Sequence, residues 1–293
     1  MEQRVALATF KALPSLSRDD QLVIPELALR RLVGVPAVWD APHVRWDSFD
    51  AVVIRSCWDY HTRPDAFREW IDRVHHAGVP VWNPPAVLHW NIEKTYLREL
   101  VARGLAVVPT HWIERGSGAS LASVLEEEGW TDAVVKPVVS ASAENAWRTS
   151  VHRASADEAR FRDLVTREGV MVQRFMEPIQ TTGEWSLCFF RGVFSHAVLK
   201  RPQPGDFRVQ SEFGATYRSA SPHPALLAKA GAALAAAPAP CLYARVDGCV
   251  VDGVFHLMEL ELLEPSLYLG YDGAAPARFA EAIEGVVSGR SGR

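Results

Sequence analysis

The stretch HLMELELLEPSLYL, residues 256–269, carries two acidic residues inside an otherwise apolar run. Side chains of a β-strand alternate between its two faces, so Glu259 and Glu261 would share one face and apolar side chains the other. Two neighbouring carboxylates repel each other, and each raises the pKa of the other unless a cation lies between them. The pattern therefore predicts a strand whose acidic face binds a cation.

Mg²⁺ fits this acidic face, because it takes carboxylate oxygens and keeps water and phosphate oxygens as its other ligands; Mn²⁺ accepts the same donors. Asp247, at the end of the preceding run LYARVD, is the expected third ligand. A strict two-residue hairpin loop would place Asp247 on the face opposite to Glu259. We therefore predict a β-bulge or a longer loop, near Gly248 or Gly253, that returns Asp247 to the acidic face.

The composition is that of a soluble globular protein, with 48% hydrophobic and 23% charged residues among 293. This length predicts two or three packed subdomains, and the net charge of −4 argues against nucleic acid as a main partner. No apolar run suggests a membrane span and the first residues lack the apolar core of a signal peptide, so we expect a cytoplasmic protein. The cysteines lack metal-binding spacing, which predicts buried free thiols at Cys57, Cys188, Cys241 and Cys249.

The first third of the chain alternates apolar runs with helical patterns, which is typical of a parallel α/β sheet. Ligands of such sheets gather at the carboxyl ends of the strands, and Arg55 and Ser56 follow the apolar run AVVI. Beyond a central β-α-β-loop-α-β unit, long strands begin near Gly183. The expected fold class is α/β with α+β parts. The expected units are an N-terminal substrate-side domain (1–88), a connecting helix (89–110), a lid subdomain (111–177) and a central and C-terminal domain (178–293).

Lys136 lies in the apolar run DAVVKPVV and is followed by the small, hydroxylated loop SASAENA. Burial of an unpaired lysine is costly, and a lone strand lysine more often extends its ammonium group to solvent from an edge strand. The loop favours a functional interpretation, because small residues let backbone N–H groups approach an anion and the hydroxyl groups of Ser140 and Ser142 add donors. Lys136 and this loop are candidates for phosphate binding.

Further candidates lie on either side of this unit. The apolar run VMVQRFMEPI, residues 170–179, fits either an edge strand or an apolar slot for a flat heterocycle. Lys94 is expected in the first turn of an amphipathic helix over residues 91–103, where its charge opposes the helix dipole. Lys200 and Arg208 are suited to stabilising charge that develops during phosphoryl or acyl transfer, although each alone fits a solvated strand end better.

The order of these features resembles the ATP-grasp superfamily, in the branch of glutathione synthetase and the ribosomal-protein glutamate ligase. The likeness covers about residues 90–270 and rests on Lys94 followed by VVKP, VQRFM, GEWSL, KRPQPGDFR, ARVD and MELE. It implies an ATP-grasp fold with a central antiparallel sheet, in which Lys94 and Lys136 contact ATP phosphates. The other implied contacts are adenine with Gln173, Arg174, Phe175 and Met176, ribose with Glu184, and Mg²⁺ with Asp247, Glu259 and Glu261.

This chain departs from the family pattern at two places. The usual E-x-N ending is here Glu259-Leu260-Glu261, so a carboxylate replaces the family's amide and adds one negative charge. The loop SASA lacks the customary glycines.

A narrower resemblance involves the segments IRSCWDYHTRPDAFREW, VWNPPAVLHWNIEKTYLREL and ELLEPSLYL. They are similar to a small group that includes the O-ureido-serine cyclo-ligase of D-cycloserine biosynthesis. The resemblance implies an antibiotic-biosynthesis ligase that phosphorylates the carboxylate of a small amino-acid-like substrate and closes a ring through its amine. An intermolecular ligase, a small-molecule kinase and a non-catalytic ATP-binding protein remain alternatives, and a homodimer is compatible with all of them.

Residues at strand ends next to the acidic cluster are the candidates for the substrate pocket. Arg55 is expected to hold a substrate carboxylate and Arg208 to stabilise an acyl-phosphate. The aromatic candidates more often pack in a core than bind a ligand. The full set is Arg55, Ser56, Trp58, Asp59, Tyr60, Glu264 and Ser266.

Overall fold

The computed structural model describes residues 2–203, 206, 208–209 and 213–289. The strands are β1 (Gln3–Thr9), β2 (Leu32–Val38), β3 (Ala51–Ser56), β4 (Val81–Trp82), β5 (Thr110–Ile113), β6 (Asp132–Pro137), β7 (Trp147–Ser150), β8 (Val170–Arg174), β9 (Glu184–Phe190), β10 (Val193–Arg201), β11 (Thr216–Ser219), β12 (Tyr243–Val251) and β13 (Val254–Glu261). The α-helices are α1 (Arg18–Gln21), α2 (Val23–Leu29), α3 (Pro64–His76), α4 (Pro85–Asn91), α5 (Tyr96–Ala102), α6 (Leu121–Glu128), α7 (Ala154–Arg167), α8 (Pro178–Thr181), α9 (Pro224–Ala235) and α10 (Ala275–Ser288). Among the described residues, none of these helices has the length and apolar character needed to cross a membrane.

The N-terminal sheet is parallel, with strand order β2-β1-β3-β4, as the alternation of apolar runs and helices predicts. Its central strand β1 is buried on both faces. Val5 and Leu7 pack with Phe279 of the C-terminal helix α10, whereas Ala6 and Ala8 pack in the cluster that contains Trp70 of α3. The C-terminal helix α10 therefore forms part of the hydrophobic core of the N-terminal sheet.

The second sheet is antiparallel, with strand order β5-β8-β6-β7, and α6 and α7 cover one face. On β6, Ala133 and Val135 point into that helix-covered core. Val134 and Lys136 lie on the other face by strand alternation, where they line a cavity. This arrangement turns Lys136 away from the core of its own unit.

The third sheet is antiparallel, with strand order β11-β10-β9-β12-β13. A two-residue turn joins β12 to β13, and Val251 pairs with Val254. The register then shifts between Asp247 and Gly248, so that Asp247 pairs with Glu259. This irregularity confirms the predicted bulge at Gly248.

The chain around Lys94 differs from the single helix expected over residues 91–103, because α4 ends at Asn91 and α5 begins at Tyr96. Lys94 lies in the turn between them. Its backbone N–H donates to the carbonyl of Val138 at 2.9 Å, next to the loop that follows β6. The Asn91 side chain donates to the carbonyl of Leu260 at 2.7 Å. The backbone N–H of Lys94 therefore has a tertiary hydrogen-bond partner in place of a helical one.

The four cysteines are free and buried, as their spacing predicts. The fold thus combines one parallel and two antiparallel sheets, in agreement with the expected α/β class with α+β parts.

Candidate active site

A cavity of about 560 Å³ lies between the two antiparallel sheets and the loop that follows β3. It brings together 18 of the 21 residues that the sequence suggested for the site. They are Trp58, Tyr60, Lys94, Lys136, Ser140, Ser142, Gln173, Arg174, Phe175, Met176, Glu184, Lys200, Arg208, Asp247, Glu259, Glu261, Glu264 and Ser266.

The cavity is acidic where β12 and β13 reach it. Single carboxylate oxygens of Asp247, Glu259 and Glu261 all lie within 4.8 Å of one another. The bulge is the cause, because it places Asp247 opposite Glu259 and on the same face as Glu261. Three converging carboxylates form the hard oxygen donor set that suits Mg²⁺ or Mn²⁺.

Four basic side chains surround these acids. The Nζ atoms of Lys94 and Lys136 lie 3.6 and 3.5 Å from Oε1 of Glu259, from two different elements. Although burial opposes ionisation, these two ammonium groups hold the pKa of Glu259 down at about 2. Glu259 is therefore ionised at neutral pH, and the two lysines converge at one point of the cavity.

Arg245 is the basic residue that sequence reasoning missed. It precedes Asp247 by two positions on β12, so both side chains share one face, and that spacing is the signal that could have revealed it. Its Nη2 lies 2.8 Å from Asp247 Oδ2 and 2.5 Å from Glu261 Oε1. Its Nη1 donates to the carbonyl of Ser266 at 2.9 Å. Arg245 thus links two of the predicted metal ligands to the loop after β13.

Lys200 and Glu184 form a buried pair below the acids, with Nζ and Oε1 2.5 Å apart. Lys200 also lies 3.7 Å from Asp247 Oδ1, and Ser186 donates a hydrogen bond to the same carboxylate. Burial opposes the charge of Lys200, but Asp247 and Glu184 raise its pKa well above the usual value. Lys200 therefore remains cationic inside the site.

The pKa values of the two remaining acids of the cluster are shifted in opposite directions. Burial would raise the pKa of Asp247, but the nearby Arg245 and Lys200 hold it below its usual value. Burial raises the pKa of Glu261 well above its usual value, because the attraction of Arg245 is offset by repulsion from the other acids. An additional cation would relieve this repulsion, which supports metal binding at the cluster.

The loop after β6 connects Lys94 to the rest of the cavity wall. Lys94 Nζ donates to the carbonyl oxygen of Ser140 at 2.7 Å and lies 3.1 Å from its hydroxyl oxygen. Ser142, Ala143 and Asn145 have left-handed backbone conformations, with φ of 52°, 54° and 57°. Left-handed conformations are usually adopted by glycine, so this loop obtains its shape without the glycines customary in the family.

The apolar side of the cavity is formed where β8 ends. Met176 packs in a cluster with Val108, Ile179 and Val209, and Phe175 lies next to it in the chain. Gln173 is buried, and its side-chain amide donates to the hydroxyl oxygen of Thr110 at 3.1 Å. Arg174 is exposed on the cavity rim. A flat apolar ligand such as adenine would fit against this wall.

Arg208 lies in the partly described segment between β10 and β11. Its Nη2 is 2.7 Å from Asp206 Oδ2, and its guanidinium lies 3.6 Å from the centre of the Phe213 ring. About a third of the Arg208 side chain is exposed. The side chain lines the same cavity as Lys200.

Three expected pocket residues do not line the cavity. Arg55 is completely buried, its Nε is 2.9 Å from Asp20 Oδ1, and its Nη2 donates to the carbonyl of Pro265 at 2.6 Å. Ser56 donates to the same aspartate at 2.6 Å. Asp59 accepts from the indole of Trp39 at 2.8 Å. The expectation that Arg55 contacts the substrate directly is therefore corrected. Its guanidinium already has protein partners and supports the segment that follows Glu264.

This chain is similar in sequence to proteins of D-cycloserine biosynthesis. A family model for the N-terminal domain of D-cycloserine synthetase DcsG matches residues 5–83. The cycloserine biosynthesis protein DcsG of Streptomyces lavendulae is 33% identical over 279 residues, which cover 88% of this chain and 91% of that protein.

Solved structures of related proteins are similar to this chain in fold. The crystal structure of D-cycloserine synthetase DcsG is similar with a TM-score of 0.88 and 27% identity, over 97% of this chain and 99% of that one. An ATP-grasp RimK domain protein from Sphaerobacter thermophilus shares the fold, with a TM-score of 0.72 at 15% identity, over 96% and 98% of the two chains. The chain therefore belongs to the D-cycloserine synthetase family and is an ATP-grasp ligase that forms amide-type bonds.

Proposed function

We propose that this ligase uses ATP and Mg²⁺ to join the carboxylate of one small amino-acid-like molecule to a nitrogen atom of the same molecule. An O-ureido-serine is the proposed substrate, and its oxygen-bound ureido nitrogen would close the ring. The observation that carries the proposal is the convergence of Lys94, Lys136, Lys200 and Arg245 on three clustered carboxylates in one cavity. This arrangement suits a triphosphate, a metal ion and an acyl group reacting at one point.

Lys94 and Lys136 are proposed to bind the phosphates of ATP. Lys94 is buried, the side chain of Lys136 is only 12% exposed, and both point at Glu259 from the cavity wall. Charge-assisted contacts to phosphate are strong in such a desolvated site. Ser140 and Ser142 would add hydroxyl donors from the neighbouring loop, and Glu184 is proposed to hold the ribose. Adenine is proposed to lie against Gln173, Arg174, Phe175 and Met176.

Asp247, Glu259 and Glu261 are proposed to hold Mg²⁺, for which Mn²⁺ would be an acceptable replacement. When bound, the ion would neutralise phosphate charge and orient the phosphates. The carboxylates themselves need little rearrangement, because the bulge already places them on one face. Preorganised charge of this kind lowers the barrier without a cost of reorganisation at the moment of reaction.

The reaction we propose has two steps. The substrate carboxylate oxygen forms a bond to the γ-phosphorus of ATP, and ADP leaves. The ureido nitrogen that is bonded to oxygen then forms a bond to the acyl carbon and loses its proton. The C–O bond to phosphate breaks, and phosphate leaves with the electron pair. Arg245, Lys200 and Arg208 are proposed to stabilise the negative charge that develops on the transferring group. The cavity contributes mainly by holding the reacting groups in contact.

Phosphate release provides the test of this function. Purified protein with ATP and Mg²⁺ would be offered O-ureido-D-serine, O-ureido-L-serine and common amino acids, singly and in pairs. We expect one ureido compound alone to trigger phosphate release, with a product whose mass corresponds to ring closure. Release only with a pair of compounds would indicate an intermolecular ligase. A stable phosphorylated product without phosphate release would indicate a kinase, and either result would contradict the proposed cyclisation.

A further inference from the structure

Glu264 is a buried acid that the proposed chemistry of phosphate and metal leaves without a role. It follows β13, is only 9% exposed, and lines the cavity. Among the described residues, no Lys, Arg or His side chain forms a salt bridge with its carboxylate. It is also not part of the cluster of three metal-binding acids. A buried carboxylate without a counterion is costly, so its presence in a ligand cavity calls for a cationic ligand.

The basic groups whose charges act on Glu264 have other partners. Lys94 is held by Ser140 and Glu259, and Arg245 by Asp247 and Glu261. His61 is held by Glu144, with Nε2 and Oε2 2.7 Å apart. Burial dominates and raises the pKa of Glu264 to about 7. The three basic groups lower it from a distance, and so does the residue's own backbone N–H, which donates to the carboxylate. No described side chain is thus available to neutralise this carboxylate.

Two aromatic residues from the N-terminal unit lie next to Glu264. The indole Nε1 of Trp58 donates to the backbone carbonyl of Glu264 at 3.1 Å, which fixes the segment. Tyr60 is buried, lines the same cavity, and has a pKa raised well above its usual value by burial and by the charge of Glu264. Aromatic faces attract cations, and an ammonium group with three N–H donors suits one carboxylate better than a metal ion does.

On the basis of the ligase function proposed above, we infer that the Glu264 carboxylate binds an ammonium group of the substrate beside Trp58 and Tyr60. Glu264 is then a specificity residue: it selects α-amino acids over the same acids without the amino group. A charged hydrogen bond in a buried site contributes about tenfold to hundredfold in affinity.

Binding measurements test this inference apart from turnover. Isothermal titration calorimetry would use the protein saturated with Mg²⁺ and a non-hydrolysable ATP analogue. The probes are O-ureido-D-serine, O-ureido-L-serine and their des-amino counterpart, 3-(ureidooxy)propanoic acid. We expect the wild-type protein to bind one of the amino acids about tenfold to hundredfold more tightly than the des-amino acid. In Glu264→Gln this preference should disappear through weaker binding of the amino acid alone.

Two further variants make the result specific. Glu264→Asp keeps the charge and should keep part of the preference, whereas Glu281→Gln, an exposed site on α10, should keep all of it. Equal binding of amino and des-amino probes by the wild-type protein, including no binding of either, would overturn the inference. A full preference in Glu264→Gln would overturn it as well. An amine preference that depends on Glu264 but brings no phosphate release would instead contradict the proposed reaction and leave the inference in place.

Discussion

Asp247 lies directly opposite Glu259 in the register of β12 and β13, although the two-residue turn that joins these strands would pair Glu259 with Val246. One extra residue on β13, Met258, makes the difference, and it brings three carboxylates to one face. The proposed metal site therefore depends on a local irregularity of the sheet and on the residue that permits it, Gly248.

Substitution of Gly248 tests this dependence. A Cβ atom there would lie 2.4 Å from the carbonyl oxygen of His256 and 2.5 Å from Cζ of Phe255. We expect Gly248→Ala to lower the free energy of unfolding by about 1–3 kcal/mol, as overpacking does. The matched control is Gly231→Ala in α9, where no atom lies close to the added Cβ; it should raise stability by about 0.5–1 kcal/mol. Equal effects of the two changes in urea denaturation would contradict this account of the bulge.

Arg55 should behave as a structural residue. Its removal leaves Asp20 buried without its counterion, so Arg55→Met should lower the free energy of unfolding by about 3–5 kcal/mol. Because the pair is coupled, the double variant with Asp20→Asn should recover part of that loss. Denaturation curves of Arg55→Met, Asp20→Asn and the double variant provide the measurement. A stable Arg55→Met protein with a raised KM for the substrate would instead show that Arg55 contacts the substrate.

Lys136 should matter for ATP more than for folding. In Lys136→Met we expect the KM for ATP to rise about tenfold to hundredfold, because one charged phosphate contact is lost. Lys229→Met on α9 makes the same change at an exposed position and should leave the KM for ATP unchanged. Steady-state phosphate release at varied ATP gives both values. The two variants having the same KM would remove Lys136 from the nucleotide site.

Glu264 should leave a signature in the pH dependence of stability. Its carboxyl group binds a proton more tightly in the folded protein, with a pKa of about 7, than at its usual value of 4.5. Its contribution to stability is therefore fully present below pH 4.5 and is lost as the pH rises toward 7. Relative to the wild-type protein, Glu264→Gln should gain up to about 3 kcal/mol across this range. Parallel stability curves for the two proteins from pH 4.5 to 7 would contradict the burial of an unpaired carboxylate.

Strand periodicity and motif order predict most of the residues that the cavity brings together. Alternation along the MELE strand placed Glu259 and Glu261 on one face, and the mismatch with Asp247 was enough to predict the bulge. Both predictions follow from local geometry, which is encoded in short stretches of sequence.

Long-range hydrogen bonds account for what the sequence did not reveal. Lys94 lies in a turn instead of a helix because its backbone N–H bonds to Val138, more than forty positions away. Arg55 forms a buried salt bridge with Asp20, and no strand or helix periodicity relates those two residues in the sequence. Arg245 differs from these two cases, because its spacing of two positions from Asp247 on β12 places both side chains on one face by strand alternation alone.

The most direct test of the proposed function is the Mg²⁺ dependence of phosphate release in Glu259→Gln, with Glu281→Gln as control. We expect Glu259→Gln to keep its circular dichroism spectrum, with a lower melting temperature because Lys94 and Lys136 lose their carboxylate partner. It should lose Mg²⁺-dependent release by about 100-fold or more, since a metal ligand is lost as well. Wild-type release by the folded Glu259→Gln protein at the same Mg²⁺ concentrations would contradict the assignment of Asp247, Glu259 and Glu261 as the metal site.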